Sequence, residues 1–219
     1  AGAVNLELSL EQAVVEAAEQ VEVTDPGAKP DDRAGERDAR RHAMAELRAA
    51  LTVEADVRTA AAEIAAGRAE AAVWLGASLA DLGGITGRSR QAARQRWSGL
   101  GGVHRRRRWL GHHVDEVLWA ARLVLDAAGD LEGVDPSARA ALADAVAAAE
   151  RAFGDDAPGD VTAAVGRWRA FDALVDRHLR DVLAGVPAEP ADATAAFAAH
   201  GARGVLAYYD HEVHQRDPD

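Results

Sequence analysis

At 219 residues, with a formal charge of −11 and 48% hydrophobic residues, the chain is long enough for one or two domains around a sizeable core. It has no cysteine, which excludes disulfides, cysteine zinc sites and thiol catalysis. No run approaches the ~20 consecutive apolar residues of a membrane span, so no membrane partner is expected, and Ala1 to Leu10 carry no signal-peptide pattern.

Alanine, leucine, arginine and glutamate dominate and β-branched runs are scarce, which predicts an all-α fold. Ser9 and Gln12 have capping-box spacing and predict a helix over Leu10 to Gln20. Thr24 to Gly35, with Pro26, Gly27 and Pro30, reads as a mobile linker. A long helical region follows from Glu36 to Leu75, with a break expected near Thr52 and an inward stripe of Val57, Ala61, Ile64, Ala72 and Leu75.

The segment after Gly76 is the most informative. Ser78 is a candidate N-cap for Leu79 to Ile85, because its hydroxyl can accept from the unpaired amides of the first turn. Gly87 suits the left-handed conformation that a sharp interhelical turn needs. Ser89 then caps Arg90 to Trp97, where Ala92 and Ala93 alternate with Arg90, Gln91, Arg94, Gln95 and Arg96. A short helix, a glycine turn and an arginine-rich helix in succession read as a helix-turn-helix, with the end of the preceding long helix as its support and Leu82 and Gly83 allowing Ala93 to approach.

Ala77-Ser78-Leu79-Ala80-Asp81-Leu82-Gly83 followed by Gly87-Arg88-Ser89-Arg90-Gln91-Ala92-Ala93 resembles the helix-turn-helix domains common in actinobacterial transcriptional regulators. Their motif runs small residue, Ser, apolar, Ala, acid, apolar, Gly, and then Gly, any residue, Ser, Arg, Gln, Ala, Ala. The match covers residues 76–97, and Thr86 and Arg88 depart from it by standing where the family has apolar residues. The resemblance implies a sequence-specific DNA-binding protein, with Arg90 to Arg96 as recognition helix and Ser89, Arg90, Gln91, Arg94 and Gln95 nearest double-stranded DNA. The residue types agree: arginine can donate a bidentate pair to guanine, and glutamine can pair with adenine in the major groove.

Just downstream, His104 precedes Arg105, Arg106, Arg107 and Arg108, expected to neutralise phosphates. Ala77 to Trp109 holds eight arginines and the single acid Asp81, a local charge of +7 that leaves −18 on the remainder. An acidic protein with one basic patch is expected to approach DNA in one orientation, and a cytoplasmic, nucleoid-associated location follows from the DNA reading. Lys29 is the only lysine among 25 basic side chains, a bias expected of a GC-rich bacterial source. The chain is expected to turn at Gly99, Gly101 and Gly102, and no alternating apolar run follows that would form a wing.

Residues 110–219 read as an acidic helical bundle. Val114, Val117, Leu118, Ala121 and Leu125 fall at helical spacing before Gly129. Asp135-Pro136 starts a helix burying Leu142, Ala145, Val146, Ala149 and Phe153, and Asp160 starts one burying Ala164, Trp168, Phe171, Val175, Leu179 and Val182. The last begins near Asp192, with Phe197, Gly201, Gly204, Val205 and Tyr208 expected to admit a neighbouring helix. The domains expected are thus 1–35, 36–109 and 110–219. The bundle is either a self-contained core, a homodimer interface or a pocket for a small-molecule or protein effector, with Trp109, Trp119, Trp168, Tyr208 and Tyr209 as core or lining.

Catalysis, cofactors and metals are not expected. His112, His113, His200, His211, Glu212 and His214 match no metalloenzyme spacing, and no lysine-bearing glycine loop cradles a phosphate. The competing expectation is a helical protein-interaction module, a partner of the transcription machinery or a phage or plasmid accessory factor, whose basic patch docks an acidic protein.

Overall fold

The computed structural model describes residues 2–22, 33–154 and 160–214, and among these every regular element is helical. The linker expected over Thr24 to Gly35 lies almost wholly outside them. The chain forms two compact units, Ala1–Ala66 and Gly67–Asp219, so the boundary falls inside a helix rather than at 35 and 109.

The first unit contains α1 (Gly2–Ala18) and most of α2 (Ala34–Trp74). α1 starts well before Ser9, whose hydroxyl donates back to the Asn5 carbonyl at 2.8 Å, so Ser9 lies inside the helix and caps nothing. α2 runs unbroken through Thr52, whose hydroxyl likewise bonds the Arg48 carbonyl one turn back. Leu10 and Val14 of α1 line a groove with Ala50, Val53, Val57 and Ala61 of α2, while Ala45 and Ala49 are buried. The stripe expected to face inward is largely outside: Val57, Ile64 and Leu75 are exposed. Helical periodicity identified an apolar face there, but burial follows whichever face a neighbour covers.

The second unit begins with the last two turns of α2 and continues through α3 (Leu79–Ile85), α4 (Arg90–Arg96), α5 (Leu100–His112), α6 (Val114–Asp126), α7 (Pro136–Gly154) and α8 (Val161–Ala173). A π-helical stretch, Leu174–Leu179, leads into α9 (Arg180–Leu183), and α10 (Ala193–His214) completes it. Three aspartates start helices as their sequence positions predict. Asp135 accepts from the Ser137 and Ala138 amides, Asp160 from Thr162 and Ala163, and Asp192 from Ala195.

α5 corrects one expectation. The chain does not turn at Gly101 and Gly102; both are helical, because Leu100, Gly101, Trp109 and Leu110 are buried and this packing outweighs a glycine penalty of about 1 kcal/mol each. The Ala164 to Val182 stripe is buried throughout, and its spacing of four residues from Phe171 to Val175 to Leu179 matches the wider π turn. In α10, which packs on α6, the buried residues are Ala195, Ala198, Ala199, Ala202, Leu206 and Tyr209; of the expected stripe, Gly201 faces Trp119 of α6, where a Cβ would stand 3.8 Å from the ring, and Val205 packs on the main core, whereas Phe197 and Tyr208 are exposed. Trp109 belongs to the main core, 4.5 Å from the His113 ring and edge-on to Tyr208 and Tyr209.

Candidate nucleic-acid interface

A small core of Ala69, Val73, Leu79, Leu82, Ala93 and Leu100 ties the end of α2 to α3, α4 and α5, and Val103 packs against both this core and the main one. The local chemistry of the two short helices explains why they stop and turn where they do. Ser78 Oγ accepts from the Asp81 amide at 3.2 Å while the Asp81 carboxylate accepts from the Ser78 amide at 2.8 Å, a reciprocal capping box. The Ser78 amide foremost, and the Ser78 hydroxyl that also donates to the same carboxylate oxygen at 2.8 Å, hold the Asp81 carboxyl below its usual range.

At the other end of α3, the Thr86 hydroxyl donates to the Leu82 and Gly83 carbonyls, both at 3.1 Å. Gly87 then takes φ +63°, and the Arg88 amide donates to Gly83 O at 2.9 Å. The two departures from the apolar pattern, Thr86 and Arg88, therefore both contribute bonds to the turn. Gly83 is also where the two helices come closest: a Cβ there would stand 2.8 Å from the Arg88 carbonyl oxygen and 3.2 Å from the Arg90 nitrogen. The close approach expected at Gly83 is thus made by the start of α4 rather than by Ala93. Ser89 Oγ accepts from the Ala92 amide at 3.2 Å and so starts α4.

Ala93, at 2% exposure, turns one face of α4 into the small core, and Trp97 packs beside it. At 100° per residue, Gln91 and Gln95 then lie on the opposite face, with Arg90 and Arg94 along one edge and Arg96 along the other. Ser89, Arg90, Gln91, Gln95 and Arg96 are exposed, and Arg94 is half-buried and engaged within the fold. The Arg96 guanidinium sits 5.1 Å from the Trp97 ring centroid. The result is a row of amide and guanidinium donors on a helix fixed by caps at its start and packing behind.

The arginine run on α5 behaves differently from the expectation that all four grip phosphates. Arg105 donates to the Val213 carbonyl at 3.4 Å. Arg106 lies 3.3 Å from Asp172, whose other oxygen accepts from the Tyr209 hydroxyl at 2.6 Å. Arg107 donates to the Trp74 carbonyl at 2.9 Å, and its guanidinium stacks 3.4 Å from the Trp168 ring centroid. Arg108 is the exposed member of the four. One residue per 100° sends four consecutive side chains around the whole helix, so most must meet the bundle that surrounds α5. Burial raises the Asp172 carboxyl above its ordinary value, against the pull of Tyr209 and Arg106, and pushes the Tyr209 phenol far up.

No family model matches this chain, and no curated protein or solved structure matches it either. Arg88 and Arg96 join the interface beside the residues expected from the motif, since both are exposed next to α4. Arg96 was legible as the last residue of the expected recognition helix, Arg90 to Arg96; Arg88 was legible only as a departure. Among the described residues no group of three or more histidine, aspartate or glutamate side chains is placed to hold a metal ion.

Proposed function

We propose that this chain is a sequence-specific DNA-binding protein, a transcriptional regulator acting as a homodimer, in which α3 and α4 form a helix-turn-helix and α4 enters the major groove. The observation that carries this reading is the outer face of α4, with Gln91 and Gln95 at its centre and Arg90 beside them, all exposed on a helix whose back is locked by Ala93. Gln91 and Arg90 read base edges, adenine and guanine being their matched partners. Arg88, Arg96 and Arg108 contact phosphates and fix the register. Arg106 and Arg107 hold α5 on the bundle instead. The bundle serves the dimer or an effector, and no catalytic role is assigned.

The test is selection of bound sequences from a randomised duplex pool, followed by anisotropy on the enriched duplex at two salt concentrations. Arg90→Ala and Gln91→Ala are expected to relax discrimination at one base position, at a cost of about 1–3 kcal/mol. Arg108→Ala is expected to weaken all sequences alike and to reduce the salt slope by about 1. No enrichment together with no binding at low salt would overturn the reading. A protein-interaction module is the second reading, favoured by Trp119 and Phe197, half-exposed and edge-to-face at 6.2 Å on the bundle surface. An acidic protein partner that binds with the arginine surface and is not displaced by DNA would decide for it.

A further inference from the structure

The first unit carries a surface with its own logic. On α2, Glu36, Arg40, Met44, Leu47, Leu51, Glu54 and Arg58 succeed one another at spacings of three and four, which places all seven along one side of the helix. Among the described residues of this unit the buried ones, Ala45 and Ala49, lie on the opposite side, while Glu54 and Arg58 at one end of the stripe border the groove that α2 forms with Leu10 and Val14 of α1. The apolar centre of the stripe faces solvent: Met44 is 38%, Leu47 61% and Leu51 57% exposed.

The order of charges along the stripe is negative, positive, three apolar residues, negative, positive. A second copy laid parallel in register sets Glu36 on Glu36 and Arg40 on Arg40. Laid antiparallel about Leu47, the same stripe pairs residue n with residue 94 − n. That one register brings Leu47 to Leu47, Leu51 beside Met44, Arg40 to the partner's Glu54 and Glu36 to the partner's Arg58. All four charged positions find opposite partners at once.

We propose that a second copy of this chain packs antiparallel along α2, with Leu47 on the two-fold axis. Glu54 and Arg58 already pair within one chain, and the partner's Arg40 and Glu36 extend that pair into a four-charge cluster at each end of the contact. The contact spans 23 residues, Glu36 to Arg58, about 33 Å of helix. A single helix pair of this length is small beside the ~800 Å² per partner of standard interfaces, so the dimer is concentration-dependent. The inference deepens the dimer part of the function proposed above and rests on it, while DNA reading itself is left aside.

The absence of natural cysteine makes the register directly testable. In the full chain, Leu47→Cys is expected to form an intermolecular disulfide under mild oxidation, because antiparallel helices bring residues on the axis within bridging distance. Leu51→Cys, on the same side, is expected not to, because its mate lies about 12 Å along the axis in this register. Bridging at both positions would indicate a parallel pair, and bridging at neither would remove the interface; each result overturns the proposal. By sedimentation equilibrium of the reduced protein from about 1 to about 200 µM, Arg40→Glu is expected to weaken the dimer about fivefold. Arg40→Glu combined with Glu54→Arg is expected to restore it, since the reversed pair meets across the axis. An unaltered dimer in Arg40→Glu, or no recovery in the double variant, would also overturn it. A symmetric operator from the duplex selection with no bridge at position 47 would leave the DNA reading standing and remove only this surface.

Discussion

Gly83 and Gly84 are adjacent in α3, yet alanine is expected to act on them with opposite sign. Either substitution gains about 1 kcal/mol of helix propensity, because glycine is the costlier residue in a helix. At Gly84 nothing lies within 4 Å of the added methyl, so the gain stands. At Gly83 the methyl meets the Arg88 carbonyl oxygen at 2.8 Å and the Ser89 carbonyl carbon at 3.1 Å. These are backbone atoms, so no rotamer change relieves the clash, and overpacking of this kind costs about 1–3 kcal/mol. The propensity gain is common to both, so the difference between the variants isolates the clash: about 2 kcal/mol, or a gap of roughly 4–8 °C in Tm. Circular dichroism at 222 nm on heating, with urea titration alongside, reads both numbers. Because α4 must shift to make room, Gly83→Ala is also expected to weaken duplex binding while Gly84→Ala leaves it unchanged. If Gly83→Ala proved as stable as Gly84→Ala, the close α3–α4 approach and the turn geometry built on it would be wrong.

Arg106→Ala is expected to lower stability by about 1–2 kcal/mol, since it strips a partner from a buried carboxylate, and to leave the salt dependence of DNA binding as it is; a flattened salt slope measured by anisotropy would return Arg106 to the phosphate-binding set. Burial raises the Asp172 carboxyl in the folded protein, so ionising it costs stability that the unfolded chain does not lose. Stability is therefore expected to fall as pH rises from the ordinary 3.8 through the raised value, and urea titrations across that window should show the slope reduced in Asp172→Asn. Asp135 has the opposite sign: hydrogen bonds from Ser137 and Ala138 lower its carboxyl, so its stabilisation is present above 3.8 and lost as pH falls through the lowered value. The penalty of Asp135→Ala, followed by the same titrations, is accordingly expected to shrink toward acid. At Gly87, φ +63° predicts that alanine costs about 1 kcal/mol in thermal unfolding and asparagine less.

Local chemistry was readable from the chain, and long-range partnership was not. The caps at Ser78, Ser89, Asp135, Asp160 and Asp192 and the turn at Gly87 follow from side-chain groups bonding amides two or three residues away, so a short window of sequence contains the whole cause. The Ala164 to Val182 stripe was legible for a similar reason, being apolar at helical spacing over several turns. The arginines of α5 show the limit. Their partners, Trp74, Trp168, Asp172 and Val213, stand 33 to 108 residues away, so a basic run destined for packing reads the same as one destined for phosphate. α5 itself was obscured by Gly101 and Gly102, whose unfavourable propensity is visible in sequence while the burial that overrides it is not. Val57 and Ile64 fail in the reverse direction: their spacing marks an apolar face, and how much of it a neighbour covers is a tertiary fact, Val57 staying exposed although it lines the groove with α1.

α5 shares the small core with α3 and α4 through Leu100 and, through Arg106 and Arg107, is also a wall of the bundle. The proposed reading head is consequently not a transplantable cassette. A fragment cut after Trp109 would sever α5 and strand two guanidinium groups without their carboxylate and indole, so swapping heads between bundles would require carrying Asp172, Tyr209 and Trp168 along. By the same linkage, any molecule that tightens the bundle steadies the head, and duplex bound at the head is expected to raise the melting temperature of helices that never touch it.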